Sequence, residues 1–278
     1  MNKLLFTDID GTLTDSKGKI PEKNIKAINR LADKGIKTVL CTGRNITKAL
    51  PVAKELNINL PMVCIDGILL YDVENKRTIH DMLMEKSKAI EIIDIAEKFG
   101  VFAEASNGYK YYKHIHSKDQ LKFDFFNSHT PLGRFKSYLG GIRYLNSYSE
   151  LKKISGGYYQ VTIGCEESIK KEIIEEIKSK GFENIDIRDN LWDGYIFINQ
   201  KGADKRRGIN ILCNEFGISP KETVSIGDDL NDLGMLEFCG TGVAMGNASD
   251  KVKQAADFVT LTNDENGFAL ACERFFDI

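Results

Sequence analysis

The sequence predicts a doubly wound α/β protein with a mostly parallel sheet, into which a separate α+β domain is inserted. Two observations support this fold class. Near both ends of the 278-residue chain, short apolar runs alternate with helical patterns, and this alternation is typical of parallel sheets. Between the two ends the rhythm changes, and aromatic-rich strand patterns replace it.

The first elements lie close to the N-terminus. Residues 4–7 begin with bulky apolar side chains and are followed by polar residues and Gly11, which predicts a short buried strand. A helix should run from Pro21, which suits a first helical turn, to Gly35, which can adopt the left-handed conformation that ends a helix. The remaining predicted elements of this segment are a strand over 36–41, a helix over 46–56 and a third strand over 62–65.

The alternation resumes in the last third of the chain with a helix over 204–216, a strand over 223–226 and shorter units through Val243 and Phe258. The stretch in between is predicted to contain a helix over 87–99, strands over 101–105, 109–113 and 159–163, and a helix over 167–180. We therefore assign residues 1–80 and 190–278 to the α/β core and residues 81–189 to the inserted domain.

The composition excludes several classes of partner. Thirty-eight Lys and Arg against 40 Asp and Glu leave a formal charge of -2, so no basic excess indicates binding to nucleic acid or to an acidic membrane. The six cysteines show no paired spacing, which predicts reduced and buried thiols. No apolar segment at the N-terminus is long enough for export or membrane spanning. We expect a cytoplasmic protein that is a monomer or a weak homo-oligomer.

Carboxylates follow two of the predicted strands directly. Asp8 and Asp10 come after the first strand, and Asp228 follows the strand over 223–226. Ligands of open parallel sheets bind outside the carboxyl ends of the strands, so these side chains can converge there. Each close pair of carboxylates would cost about 4 kcal/mol at an effective dielectric of about 20, so a cation is required. Oxygen ligands without clustered Cys or His favour Mg²⁺ over zinc.

Four short motifs extend this pattern, in the order Asp8-Ile9-Asp10-Gly11-Thr12, Thr42-Gly43-Arg44, Lys205, and Gly227-Asp228-x-x-Asn231-Asp232. Their order and spacing resemble those of the haloacid dehalogenase superfamily. The whole chain is similar to the Cof-type branch of sugar-phosphate phosphatases, and the stretch Gly242–Ala248 also resembles that branch. This resemblance implies a Rossmann-like core with an inserted α+β cap domain.

The resemblance also implies roles for single residues. Asp8 would attack phosphorus and form an aspartyl-phosphate, while Asp10 would protonate the leaving oxygen and later deprotonate water. Metal ligands would come from Asp8, the backbone carbonyl of Asp10, and Asp228. The other implied site residues are Asn231 and Asp232, which complete or orient the metal shell, Thr42, Gly43 and Lys205, which bind phosphate, and Arg44 and Asp66, which bind substrate.

Two departures from the family pattern concern the substrate pocket. Asp66 stands where relatives usually have Asn, and Arg206 and Arg207 follow Lys205 where a glycine is common. The first alters the pocket, and the second adds positive charge near it. The cap domain should close over the site, exclude water and choose the small phosphorylated substrate.

Three kinds of function remain open at this point. The first is a phosphatase acting on sugar phosphates or similar metabolites. The second is a phosphomutase or phosphotransferase, in which a sugar hydroxyl replaces water as the acceptor. The third is a binding module without turnover, and the intact set of Asp8, Asp10, Thr42, Lys205 and Asp228 argues against it.

Two groups of side chains in the inserted domain receive no catalytic role. His114 and His116 alternate at strand spacing, and we expect a solvent-facing pair. The aromatic residues of the domain are expected mostly in its core, with one or two available to stack on a sugar. They are Tyr109, Tyr111, Tyr112, Phe123, Phe125 and Phe126.

Overall fold

Two units make up the protein in a computed structural model that describes residues 3–124 and 137–278. The first unit runs from the start of the described chain to Arg44 and continues through Ala49–Asp81 and Asp204–Ile278. The second contains Asn45–Lys48 and the described residues of Met82–Ala203. The first unit is therefore built from both ends of the chain.

The first unit contains a five-stranded sheet in which every strand pair is parallel. The strand order across this sheet is Phe258–Val259, Thr241–Ala244, Thr223–Gly227, Leu4–Thr7 and Lys37–Leu40. Helices connect the strands, as the predicted alternation requires. They are Glu22–Asp33, Ile46–Glu55, Lys205–Phe216, Leu233–Phe238, Asp250–Ala255 and Gly267–Phe276.

The strand Leu4–Thr7 lies inside the sheet and is buried on both faces. Leu4 and Phe6 point to one face and belong to a cluster with residues of the helix Lys205–Phe216. Leu5 is fully buried on the other face, because successive side chains of a strand alternate. Burying each of these side chains stabilises the fold by roughly 1.5–3 kcal/mol.

The third predicted strand is not part of the parallel sheet. Met62–Cys64 pairs antiparallel with Leu69–Asp72, which pairs antiparallel with Arg77–Asp81. One isolated parallel bridge, between Cys41 and Val63, links this small sheet to the chain that follows Lys37–Leu40. An apolar run of three residues does not indicate which strand it pairs with, and Met62–Cys64 pairs with the strand that follows it in the chain.

The second unit is built on a six-stranded mixed sheet. Its strand order is Ile185–Arg188, Tyr195–Gln200, Gln160–Gly164, Phe102–Ser106, Tyr111–His114 and Ile142–Leu145. All neighbours pair antiparallel except the last two strands, which are parallel. The helices Lys86–Phe99, Tyr148–Leu151 and Glu167–Ser179 contribute to one apolar core with one face of this sheet.

The other face of this sheet carries a buried lysine. Lys113 is 1% exposed, and its Nζ lies 3.0 Å from Oε2 of Glu104 and 3.0 Å from Oδ1 of Asp124. Tyr144 donates its hydroxyl proton to Oδ2 of Asp124 at 2.5 Å. Burial alone lowers the pKa of Lys113, but the charges of the two carboxylates outweigh it and raise the pKa above its ordinary value.

The strand Tyr195–Gln200 places residues 190–203 differently from the sequence-based boundary. The sequence assigned these residues to the core, whereas this strand pairs with Gln160–Gly164 and Ile185–Arg188 in the second unit. Four apolar or aromatic residues in a row gave no indication of which sheet they would join. The cap role assigned to this unit stays a prediction.

The predicted environment of the histidine pair was wrong for one member. His114 is buried, its Nδ1 lies 3.2 Å from the carbonyl oxygen of Leu145, and its ring contacts the ring of Tyr148 edge to face. His116 is exposed, as expected. Strand alternation cannot show that a helix covers one of the two side chains.

Most of the aromatic residues that the sequence placed in the core can be compared with the structure. Tyr111 and Phe123 are buried and Tyr112 is half-buried, whereas Tyr109 is 44% exposed. The remaining two, Phe125 and Phe126, lie outside the described residues.

All six cysteines lie in the described chain, and each has a buried free thiol, which confirms the expectation of reduced thiols. Among the helices of residues 3–124 and 137–278, none has the length and apolar character needed to cross a membrane.

Candidate active site

The predicted site residues of the first unit follow the carboxyl ends of adjacent strands. Asp8 directly follows Leu4–Thr7, Thr42 comes two residues after Lys37–Leu40, and Asp228 directly follows Thr223–Gly227. These three strands are neighbours in the parallel sheet, so their carboxyl ends lie along one edge. The backbone of Asp8 joins two of the strands, because its N–H donates to the carbonyl of Ile226 at 3.0 Å.

A buried lysine bridges two of the carboxylates. Nζ of Lys205 lies 2.6 Å from Oδ1 of Asp8 and 2.6 Å from Oδ1 of Asp232, and the lysine is 0% exposed. Lys205 begins the helix Lys205–Phe216, which Asp204 caps by accepting from the N–H of Arg206 at 2.7 Å. Within the described chain, no donor reaches Oδ2 of Asp8, so this second oxygen is available to react.

Asp228 is held by residues of the first motif. Thr12 donates its hydroxyl proton to Oδ1 of Asp228 at 2.6 Å. Gly11 has a left-handed φ of +73°, and a Cβ at this position would lie 2.2 Å from Oδ2 of Asp228. The close approach of the turn to the carboxylate therefore requires glycine at position 11.

Asn247 also contacts this part of the site. Its Nδ2 donates to the carbonyl of Gly11 at 3.0 Å and to Oδ2 of Asp228 at 3.3 Å. Its Oδ1 accepts from the N–H of Asn263 at 3.0 Å. Asn247 follows the end of the strand Thr241–Ala244, so four adjacent strands contribute residues to the same edge of the sheet.

Asp232 organises the loop that carries Asp228. Its Oδ2 accepts from the N–H groups of Asp228 and Asp229 at 2.8 and 3.0 Å, while its Oδ1 accepts from Lys205. The side chain is 0% exposed. Both oxygens are thus occupied by donors of this chain, which indicates an orienting role for Asp232.

Burial strongly affects the protonation of the site. Burial raises the pKa of Asp8 well above its ordinary value, since the nearby charge of Lys205 only partly opposes the loss of solvation. Burial likewise raises the pKa of Asp228 to about 7, although the hydrogen bond from Thr12 lowers it. Burial lowers the pKa of Lys205, but the charges of Asp232 and Asp8 outweigh that effect and the net shift is upward.

Asp10 is oriented by an arginine and not by the carboxylate cluster. Nε and Nη2 of Arg44 donate to Oδ2 and Oδ1 of Asp10 at 2.7 and 2.6 Å. The Asp10 side chain is 62% exposed, whereas that of Arg44 is 25% exposed. The pair is bidentate, which makes it more specific than a single-contact ion pair.

The second motif forms a turn stabilised by its own threonine. Oγ1 of Thr42, a residue that is 1% exposed, accepts from the N–H of Arg44 at 3.1 Å. The hydroxyl proton of Thr42 is therefore free to donate to another oxygen. Gly43 lies beside Asp66, because a Cβ on Gly43 would be 3.2 Å from Oδ1 of Asp66.

Asp66 links the second and fourth motifs. Its Oδ1 accepts from Nδ2 of Asn231 at 2.8 Å, and its backbone N–H donates to the carbonyl of Thr42 at 3.2 Å. Asp66 and the preceding Ile65 have positive φ angles of 51° and 48°. Asp and Asn tolerate this left-handed region better than most residues, which suits Asp66 to this position.

The donor set of the site fits a divalent cation. One oxygen each from Asp8, Asp228 and Asp232 lies within 4.8 Å of the others. Oδ1 of Asn231 is buried and has no hydrogen-bond partner among the described residues. Buried carboxylates without enough positive charge, together with an unpaired amide oxygen, are typical of a site for a hard cation.

The structure brings most of the predicted residues into contact with each other. The carboxylate cluster contains Asp232, which the sequence had assigned to completing or orienting the metal shell, and the Asp10 side chain is paired with Arg44 instead. Two contributors, Thr12 and Asn247, were not singled out from the sequence. Both lie in stretches that resemble the haloacid dehalogenase family. A search of the sequence for polar residues after every predicted strand would also have found Asn247.

The acidic edge of the parallel sheet, together with the mixed-sheet unit inserted in the chain, defines the class of protein as a hydrolase with a Rossmann-like α/β core. The sequence profile of the haloacid dehalogenase-like hydrolases matches residues 5–271. The chain therefore belongs to the haloacid dehalogenase-like hydrolase family, in its Cof-type branch, and is a phosphatase.

Several relatives cover nearly the whole chain. Phosphatase YwpJ of Bacillus subtilis is 30% identical, over 96% of this chain and 97% of its own length. A solved haloacid dehalogenase-like hydrolase from Bacteroides thetaiotaomicron has a TM-score of 0.83 and 28% identity, covering 99% of this chain and all of the other. A solved sugar phosphatase of subclass IIB has a TM-score of 0.80 and 27% identity at the same coverage.

Proposed function

We propose that this phosphatase depends on Mg²⁺ and hydrolyses small phosphorylated metabolites, sugar phosphates in particular, through an aspartyl-phosphate on Asp8. The observation that carries the proposal is the environment of Asp8. Its carboxylate is buried beside two further aspartates, and Lys205 holds one of its oxygens while the other has no donor in the described chain. A fixed, desolvated carboxylate at the end of a strand is suited to act as a nucleophile.

Mg²⁺ would be held by Asp8, Asp228 and the backbone carbonyl of Asp10. Asn231 and Asp232 would complete or orient the shell, and the all-oxygen donor set favours Mg²⁺ over zinc. When bound, the ion supplies positive charge that offsets the repulsion between the carboxylates and the phosphate. Thr12 and Asn247 would orient Asp228 as a metal ligand, because each donates a hydrogen bond to one of its two carboxylate oxygens.

The chemistry requires a nucleophile and a proton carrier. An oxygen of Asp8 forms a bond to phosphorus while the bond from phosphorus to the leaving oxygen breaks, and Asp10 gives its proton to that oxygen. A water molecule then attacks phosphorus and gives a proton to the Asp10 carboxylate, while the bond between phosphorus and the Asp8 oxygen breaks. This step releases inorganic phosphate and restores the Asp8 carboxylate and the Asp10 proton.

The transferred phosphoryl group needs donors that do not move. Thr42 can offer its hydroxyl proton because its oxygen already accepts from Arg44, and the backbone of Gly43 lies in the same turn. Lys205 adds a positive charge beside Asp8. Preorganised donors of this kind stabilise charge that develops in the transition state.

The proposed substrate class rests on the relatives of this chain. One structural relative is described as a sugar phosphatase, and a sequence relative from Bacillus subtilis is described as a 5-amino-6-(5-phospho-D-ribitylamino)uracil phosphatase. Both names describe small phosphorylated polyhydroxy compounds. For this chain, a screen of phosphorylated sugars and polyols tests the assignment directly.

The experiment that tests the mechanism is a rapid acid quench with a ³²P-labelled sugar phosphate. We expect a labelled protein that is stable in acid and labile in base, in the wild type with Mg²⁺ and not in the Asp8→Asn variant. Phosphate release equal to substrate consumed supports hydrolysis, and transfer of label to a sugar hydroxyl supports the phosphotransferase alternative. Wild-type turnover by the Asp8→Asn variant, with no label on the protein, contradicts the aspartyl-phosphate.

A further inference from the structure

The ion pair of Asp10 has a geometry that ordinary surface pairs rarely have. Two parallel bonds of 2.7 and 2.6 Å join the guanidinium of Arg44 to both carboxylate oxygens. One contact would fix only a distance, whereas two also fix the plane of the carboxylate. Arg44 therefore determines which way the Asp10 side chain points.

Both partners are attached to constrained backbone. The N–H of Arg44 donates to Oγ1 of Thr42, and its carbonyl accepts from the N–H of Ile65 at 3.1 Å. Asp10 precedes the left-handed turn at Gly11, and that turn is closed by a hydrogen bond from Thr14 to Ile9 at 2.9 Å. A pair between two fixed loops loses little entropy when it forms.

The exposure of Asp10 explains why its side chain needs a partner that holds it in one orientation. A side chain that is 62% exposed would sample several rotamers in water if nothing held it. A proton carrier has to be within hydrogen-bond distance of the oxygen that it serves, so an unrestrained Asp10 would spend most of its time elsewhere.

We propose that Arg44 is a positioning residue that aims Asp10 at the leaving-group oxygen, and that it does not bind the substrate phosphate itself. This inference rests on the proposed function, in which Asp10 carries the proton. Both oxygens of the Asp10 carboxylate accept from Arg44. Once Asp10 takes up the proton that it delivers, the protonated oxygen gives up its bond to Arg44 and donates to the leaving-group oxygen. The other bond keeps the carboxyl group oriented while its proton moves to the leaving oxygen.

Substrates that differ in their need for an acid separate the two roles of Arg44. The leaving group of 4-nitrophenyl phosphate departs without a proton, whereas that of glycerol phosphate needs one. For Arg44→Gln we expect kcat/KM to fall about 100-fold with glycerol phosphate and less than about 3-fold with 4-nitrophenyl phosphate. Asp10→Asn should show the same dependence on the leaving group.

Combining the two substitutions tests whether Arg44 acts through Asp10. The variant Arg44→Gln with Asp10→Asn should be no slower than Asp10→Asn alone, within about 3-fold, because the second change removes nothing further. Arg44→Lys keeps the charge but offers no planar fork, so we expect an intermediate loss. Arg30→Gln is the matched control, since Arg30 forms a surface pair with Glu273 at 3.6 Å, and it should leave both rates unchanged.

Four results would overturn the proposal. Equal losses with both substrates, dominated by a higher KM, would make Arg44 a phosphate ligand. Multiplicative losses in the double variant would show that the two residues act separately. A leaving-group effect in Asp10→Asn without one in Arg44→Gln would show that Arg44 does not position Asp10, and it would leave the proposed role of Asp10 intact. Wild-type hydrolysis of glycerol phosphate by Asp10→Asn would show that Asp10 is not the proton carrier of the proposed function.

Discussion

Each unit of this phosphatase buries one lysine between two carboxylates, and the two sites differ in what surrounds them. Lys113 lies on a sheet face of the second unit between Glu104 and Asp124. Lys205 lies at the carboxyl edge of the parallel sheet between Asp8 and Asp232. Both lysines are almost completely buried, so burial alone does not distinguish them.

The two sites differ in how much negative charge remains after the charge of the buried lysine is counted. In the second unit, Tyr144 donates to Asp124, so the network supplies its own donors. In the first unit, Asp228 adds a third carboxylate to one lysine, and burial raises the pKa of both Asp8 and Asp228. A buried ion pair is weak evidence for function, whereas an excess of buried carboxylates at a strand edge is typical of a functional site.

The largest expected effect tests the chemistry of the first unit. Asp8→Asn should lower kcat on the order of 10⁴-fold or more while the fold is kept, because the amide has nearly the same shape but is a poor nucleophile. Phosphate release and circular dichroism measure the two outcomes. Asp33→Asn, at an exposed helix position, is the control. Wild-type turnover by Asp8→Asn, with deamidation excluded by mass spectrometry, would disprove the role of Asp8.

The second prediction concerns the pH dependence that the excess buried carboxylate, Asp228, gives to the stability of the protein. The pKa of Asp228 is raised to about 7, so the stability that it contributes is present at low pH and is lost as the pH rises through about 7. The loss is on the order of 4 kcal/mol in the metal-free protein. We expect Mg²⁺ to raise the melting temperature more at pH 8 than at pH 5.5, compared with a chelator. An equal rise at both pH values, or an unchanged rise in Asp228→Asn, would contradict this explanation.

The third prediction tests the lysine of the second unit. Lys113→Met should lower the free energy of unfolding by about 3–5 kcal/mol, because Glu104 and Asp124 are left buried without a cation. Hydrolysis of 4-nitrophenyl phosphate per folded molecule should change little. Urea unfolding measures the first effect, with the exposed Lys178→Met as the control. A loss of turnover as large as that of Asp8→Asn would show that Lys113 contributes to catalysis and not only to stability.

The smallest expected effect concerns selection by the second unit. Replacing residues 82–203 with a short linker should keep hydrolysis of 4-nitrophenyl phosphate, because every proposed catalytic residue lies outside that segment. The ratio of rates for sugar phosphates over the aryl phosphate should fall about 10- to 100-fold, since remote contacts that position a larger substrate are lost. An unchanged ratio in the folded variant would show that selection lies within the first unit.

The sequence predicted the first unit well because its polar residues follow its strands. Asp8, Thr42 and Asp228 were placed at one sheet edge from strand ends alone, and the structure has them there. The partner of Asp10 was not predictable, since only the folded turns bring Arg44 to it. Met62–Cys64 was assigned to the wrong sheet, because three apolar residues do not specify a partner strand.

The second unit was predicted less completely because no motif marks its strands. The helices over 87–99 and 167–180 were found within one residue of their observed ends. The strands Ile142–Leu145 and Ile185–Arg188 were missed, because all their side chains except Ile142 are half-buried and polar residues interrupt the apolar pattern. The burial of His114 depends on a helix far along the chain, which local spacing cannot reveal.

The discontinuity of the first unit also determines when the site can form during protein synthesis. The strand Leu4–Thr7 pairs with Thr223–Gly227, so one of its edges stays unpaired until that strand has left the ribosome. At about 5–20 residues per second, roughly 10 to 45 seconds separate the two strands. The strands of the second unit, which lie between Phe102 and Gln200, are all translated within this interval. A chain interrupted before residue 205 carries Asp8 and Asp10 but neither Lys205 nor Asp228, so we expect such truncated translation products to be inactive.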